Sequence, residues 1–191
     1  MRRVTLDDII GLARYEEMRE RFRRRIIDLK KHRRMPVGDR ITFVFENFDT
    51  VHFQIQEMLR AERIADVDRV RDEIDVYNAL LPDPRELSAT MLIELPDSAI
   101  VREELPKFHG IDRCVRMEVG TARVDAVFEG GRSREDKVSA VQYVRFPLGA
   151  VARSFRGGVS ARLVIEHPHY RAEAAIDGDV RRSLAADLEG C

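Results

Sequence analysis

The chain has 191 residues, of which 44% are hydrophobic and 35% charged, so it is long enough to bury a full core and falls within the size of one domain, expected over 1–191. Thirty-three Lys and Arg against 34 Asp and Glu leave a formal net charge of -1, which argues against the chain as a whole being a polyanion binder. No apolar run approaches the roughly 20 residues of a membrane span and the first residues lack a signal-peptide core, so a cytoplasmic protein is expected.

Thr5 and Asp8 have the spacing of a helix cap, and beyond Gly11 the residues Tyr15, Met18, Phe22, Ile26 and Leu29 form a stripe at helical spacing. The first 34 residues therefore read as mainly helical. Arg19, Arg21, Arg23, Arg24, Arg25, Lys30, Lys31, Arg33 and Arg34 make this a locally basic helix in a neutral protein. A solvated face is the favoured reading over nucleic acid, because no aromatic residues are interleaved for base stacking.

Pro36 and Gly38 punctuate the helix, after which Ile41, Phe43 and Phe45 alternate as a strand and Asn47-Phe48-Asp49 supplies turn chemistry. Val51, Phe53 and Ile55 also alternate, which predicts a returning strand whose other face carries His52, Gln54 and Gln56. From Gln56 the pattern becomes helical up to residue 80, ended by Pro82 and Pro84. The second half is richer in strands. Runs at 89–95, 114–119, 123–128, 138–146, 159–166 and 170–176 alternate or are apolar, with short helices expected at 98–105 and 150–155. Short connections through Gly120-Thr121, Gly130-Gly131 and His167-Pro168-His169 suit antiparallel strands. Asp177 is placed to cap a last helix with Val180, Leu184 and Leu188 facing inward. The fold class expected is α+β: a mainly antiparallel sheet of six to eight strands with the basic N-terminal helix and the 56–80 helix packed on it.

Several groupings bear on chemistry. Glu166-His167-Pro168-His169 spells Glu-x-x-His, but Pro168 forbids the helix on which that spacing gathers metal ligands. In extended chain His167 and His169 would share a side and a carboxylate such as Glu173 could join them. Glu57, Arg60, Glu62 and Arg63 are spaced for salt bridges or a charged pocket wall, and Lys137 stands where it could sit at a pocket rim. Cys114 lies among Arg113 and Arg116, where positive charge could lower a thiol pKa, although an ordinary half-buried thiol is the expected role. Two cysteines give neither a disulfide framework nor a zinc spacing, and no dinucleotide, P-loop, serine-elbow or Cys-x-x-Cys motif occurs. No cofactor and no resident metal are expected on these grounds.

Taken together, FENFDTVHFQIQEMLRAERI, SATMLIELPD, EDKVSAVQYVRF and HPHYRAE resemble the bacterial family known as domain of unknown function 3501, and the resemblance extends over nearly the whole chain. Its polar positions correspond here to Gln54, Gln56, Glu57, Arg60 and Glu62, to Glu135, Asp136, Lys137 and Ser139, and to His167, Tyr170 and Glu173. His52 and His169 fall outside that pattern. The resemblance implies a setting near rubrerythrin and iron–sulfur oxidoreductases, hence an accessory or binding protein of a redox or oxidative-stress module. The alternative is an enzyme or metal-binding protein with a site near Glu57, His167, Tyr170 and Glu173, and a weaker one is polyanion binding by the basic helix. A homo-oligomer is left open.

Overall fold

The computed structural model describes residues 1–95, 98–129 and 138–188, without the side chains of residues 98 and 99. A short 3-10 turn, Leu6–Asp8, precedes helix α1 (Leu12–Lys31). The chain then makes β1 (Arg34–Val37), β2 (Ile41–Phe45), α2 (Phe48–Ala61), α3 (Val67–Asn78) and β3 (Glu86–Ile93). After α4 (Ser98–Glu104) come β4 (Val115–Val119), β5 (Ala122–Asp125), β6 (Val127–Phe128) and β7 (Val141–Pro147). Helix α5 (Val151–Arg156), the hairpin β8 (Ala161–His167) and β9 (Tyr170–Ala175), and α6 (Gly178–Asp187) complete it.

The strands pair antiparallel throughout, as expected for α+β, but they divide into two sheets among the described residues. One has the order β1-β2-β3-β7-β6 and the other β5-β4-β8-β9. The inner face of the first sheet carries Met35, Phe43, Phe45, Ala89, Met91 and Val144, which join Met117, Leu163 and Ile165 of the second in one apolar cluster. A second cluster lies in the helical layer, where Val51, Ile55 and Leu59 of α2 meet Val70 and Ile74 of α3 and Val4 of the N-terminal segment. Three layers result, with the first sheet in the middle. Burying a Val, Leu, Ile or Phe contributes about 1.5–3 kcal/mol, so each cluster outweighs the scattered surface ion pairs.

Three sequence expectations change. Residues 51–55 are helical. Asn47 accepts from the Thr50 backbone N–H at 3.0 Å while Thr50 Oγ1 accepts from the Asn47 N–H at 2.9 Å, and this reciprocal cap starts α2 at Phe48. Val51, Ile55 and Leu59, one turn apart, are buried together, whereas Phe53 of the supposed strand face is only half-buried. The helix expected over 56–80 is two helices: Arg63 takes φ +54°, which ends α2, and the Asp66 side chain caps α3 by accepting from the N–H groups of Asp68 and Arg69. The basic N-terminal segment stops at Lys31, and Arg34–Val37 is an edge strand. Pro36 is tolerated there, since an edge leaves one side of the ladder unpaired.

Arg33 belongs to neither helix nor strand, and its side chain is 1% exposed. Its guanidinium donates to the carbonyls of Phe45 (2.8 Å) and Glu46 (3.0 Å), to Ser183 Oγ (3.0 Å) and to the Asp187 carboxylate. One side chain thus ties the end of β2 to α6. Cys114 lies just before β4, where it donates to the Gly110 carbonyl, and burial pushes its thiol pKa up. Asp177 stands at the N-cap of α6 without a side-chain cap bond, and Leu184 and Leu188 face inward.

Candidate functional site

The polar residues of the first block are divided among separate tasks. Gln56 is wholly buried, and its amide accepts from the Ile10 N–H (2.6 Å) and donates to the Ile10 carbonyl (3.2 Å), which docks the segment before α1. Glu57 receives both arms of Arg19 (2.8 and 2.6 Å) and the Tyr15 hydroxyl (2.8 Å). The Arg19 guanidinium holds the Glu57 carboxyl below its ordinary pKa, and burial pushes the Tyr15 phenol up. Arg60 makes a two-pronged pair with Glu16 (2.5 and 2.8 Å). These contacts lace α1 to α2. Glu62 is exposed at the end of α2, its N–H bonded to the Met58 carbonyl. Gln54, Glu57 and Arg60 do share one shallow groove, together with Lys30, Phe53 and Tyr77.

The third block lies on the second sheet. His167 is 3% exposed, and its Nδ1 accepts from the His169 N–H at 3.2 Å, so Nε2 carries the proton and donates to the His109 carbonyl at 2.8 Å. Both ring nitrogens are engaged. The Tyr170 hydroxyl donates to the Val37 carbonyl (2.6 Å) and accepts from the Arg40 N–H (3.2 Å), clamping the β1–β2 turn across the two sheets. Gly38 at the tip has φ +74°, and a Cβ there would lie 2.3 Å from that hydroxyl. Glu173 is exposed and pairs with Arg162 (3.2 Å). Glu57, whose partners are Arg19 and Tyr15 in the helical layer, shares no contact with these three, and among the described residues no group of three or more His, Cys, Asp or Glu is gathered as metal ligands would be. Of the middle block, Glu135, Asp136 and Lys137 lie outside the described residues, and Ser139 bonds the Val141 backbone. Among the cations of α1, Arg24 pairs with Glu20, Arg25 with Asp49 and Lys31 with Asp28.

A different group meets the physical criteria for a site. Glu46 follows β2 with its backbone held on both sides, its N–H on the Ser88 carbonyl and its own carbonyl on Arg33. The side chain turns toward the helical layer and is 3% exposed. Oε2 accepts from Thr50 Oγ1 (2.5 Å) and Gln54 Nε2 (3.0 Å), and Oε1 accepts from Thr90 Oγ1 (2.6 Å). All three donors are neutral, and among the described residues no cationic side chain pairs with this carboxyl. A carboxylate offers about four acceptor positions, so one is left.

Glu46 lines a cleft of about 220 Å³ with Leu80, Ser88, Phe128, Tyr143 and Arg145. The cleft forms because Ser88, Thr90, Tyr143 and Arg145 occupy the helix-facing side of β3 and β7, paired in register as Ser88↔Arg145 and Thr90↔Tyr143, while the end of α3 passes over them. Arg145 is held by Glu86 (2.6 Å) and by the Ala79 and Leu81 carbonyls, and the Ser88 hydroxyl donates to the Leu80 carbonyl (2.6 Å). Sequence reasoning singled out Gln54 but missed Glu46, Thr50, Thr90, Tyr143 and Arg145. The available signal was Thr50 and Gln54, which share one face of α2 once that helix is recognised, with Glu46 just ahead of its Asn47 cap.

Comparison with known proteins places this architecture. The family described as "Protein of unknown function (DUF3501)" matches residues 3–188, and the chain belongs to it. A crystal structure of a novel protein of unknown function from Burkholderia pseudomallei K96243 is similar over 98% of this chain and 100% of that chain, with a TM-score of 0.92 and 35% identity. A comparison with curated proteins returned no match.

Proposed function

We propose that this protein works by binding, recognising a small ligand in the Glu46 cleft. The observation that carries the reading is a carboxyl group buried at 3% exposure, surrounded by fixed neutral donors, with an acceptor position left over and a cleft in front of it. Ligand sites are concave, partly apolar surfaces with a few fixed polar groups, and a buried carboxyl held in place within such a wall has that character. The cleft walls are preorganised, since Arg145 and Ser88 are each held by another residue and Glu46 is fixed by Thr50, Gln54 and Thr90.

The same proposal extends to setting. An accessory role in a redox or oxidative-stress module beside rubrerythrin or iron–sulfur proteins is what the family resemblance implies, a cytoplasmic setting is the expectation from the sequence, and a ligand-binding protein without chemistry of its own suits both. Among the described residues no helix is long and apolar enough to cross a membrane. Amide chemical-shift mapping of the full chain with a library of small polar fragments tests the site. Shifts gathered on Glu46, Leu80, Ser88, Tyr143 and Arg145 are expected, and shifts confined to the α1–α2 groove would move the site there. Co-elution of the purified protein with purified rubrerythrin or an iron–sulfur oxidoreductase tests the setting.

A further inference from the structure

We infer that the occupant of the Glu46 cleft is a small organic cation, an ammonium or guanidinium group carried on a short apolar chain. The inference rests on reading the cleft as a binding site and names what it takes.

Three donors converging on one carboxyl make the surroundings a negative charge calls for, yet neutral donors alone leave a buried charge without a countercharge, which is costly unless it is paired. The nearest described cations are already engaged. Arg33 reaches the backbone carbonyl of Glu46, not its carboxyl, and is paired with Asp187. Arg145 on the cleft wall is paired with Glu86 and holds the Ala79 and Leu81 carbonyls. A positive group entering the cleft, whose walls also carry Glu129, would therefore meet in Glu46 a buried carboxyl with no described cationic partner and find Arg145 neutralised.

The remaining walls describe the rest of the ligand. Phe128 offers aromatic surface of the kind that attracts cations, and Leu80 and Val127 offer aliphatic surface. A volume of about 220 Å³ is below the usual range for drug-sized ligands and accommodates a head group with a few carbons, not a nucleotide.

The test uses three probes of similar shape, n-butylammonium, n-butylguanidinium and neutral n-pentanol, titrated into the full-length protein and followed by amide chemical shifts. Either cation is expected to bind about tenfold to a hundredfold more tightly than pentanol, the factor a charge-assisted hydrogen bond supplies, and Glu46→Gln should remove that advantage. Comparison of the two cations distinguishes an amine from a guanidine ligand. Pentanol binding as tightly as the cations, or cation binding unchanged in Glu46→Gln, would overturn the inference while leaving the cleft as a binding site. Failure of all three to shift any cleft residue would overturn both. The cation-to-alcohol comparison needs only the unmodified protein, so it stands even where the variant folds poorly.

Discussion

Replacing Arg33 by Met removes the side chain that holds the Glu46 backbone in place. The guanidinium makes four contacts, two to main-chain carbonyls of the β2 end and two to Ser183 and Asp187 of α6, and is 1% exposed. Methionine fills a similar volume but leaves two carbonyls and a nine-tenths-buried carboxylate without their partner. Breaking one side of a buried pair costs about 3–5 kcal/mol, a large part of the roughly 5–15 kcal/mol that a domain has in total. With an m-value of about 2–3 kcal/mol/M, the urea midpoint should fall by about 1–2.5 M while the slope stays the same. A double-mutant cycle with Asp187→Asn isolates the pair, and a coupling of about 1–3 kcal/mol is expected. A midpoint shift under about 0.3 M, or a coupling indistinguishable from zero, would refute the assignment of Arg33 as the tie between β2 and α6.

Other substitutions probe the remaining contacts. Tyr170→Phe should cost about 1–3 kcal/mol in urea unfolding, because the Val37 carbonyl and Arg40 N–H lose their shared hydroxyl; a neutral result would remove the clamp from the account. Gly38→Ala should be worse than a typical loop change, since φ +74° and the 2.3 Å approach both oppose a Cβ, and Tyr170→Phe should partly relieve it when the two are combined. Glu57→Ala should loosen α1, read as faster amide exchange in residues 12–31 with little change in the sheets, and exchange that is unaltered there would contradict the lacing role. His52 packs between Phe22 and Phe48, and burial lowers its pKa from the ordinary 6.5, against the opposing pull of Asp8 and Asp49. The unfolded chain then takes up the proton first, so stability should decline as pH falls below about 6.5 and level off beneath the folded value. His52→Phe should flatten that slope, and an unchanged slope would exclude His52 as its source.

Fold class was legible because hydrophobic periodicity and short glycine connections report antiparallel strands directly, and most element positions in the second half follow from them. The division into two sheets was not, because alternation fixes which face of a strand is apolar and says nothing about which strand lies next to it. The misreading of 51–55 has a specific cause: Val51, Phe53 and Ile55 satisfy a period of two while Val51, Ile55 and Leu59 satisfy 3.6, and only the Asn47–Thr50 cap decides between them. That choice carried the site with it. Read as a strand, the segment aligns Gln54 with His52 and Gln56. Read as a helix, it aligns Gln54 with Thr50 and turns both toward Glu46 just ahead of the cap, three side chains the structure joins by hydrogen bonds. The long-range partners Thr90, Tyr143 and Arg145 come from strands 40 and more residues away, beyond the reach of local pattern.

The most direct measurement of the central claim is an experimental structure of the protein soaked with n-butylguanidinium. Ligand density in the cleft between the end of α3 and the β3–β7 pair, with a nitrogen within about 3 Å of a Glu46 carboxyl oxygen, is the result this account predicts. An empty cleft at saturating ligand, or ordered ligand lodged instead in the groove of Gln54, Glu57 and Arg60, would contradict it.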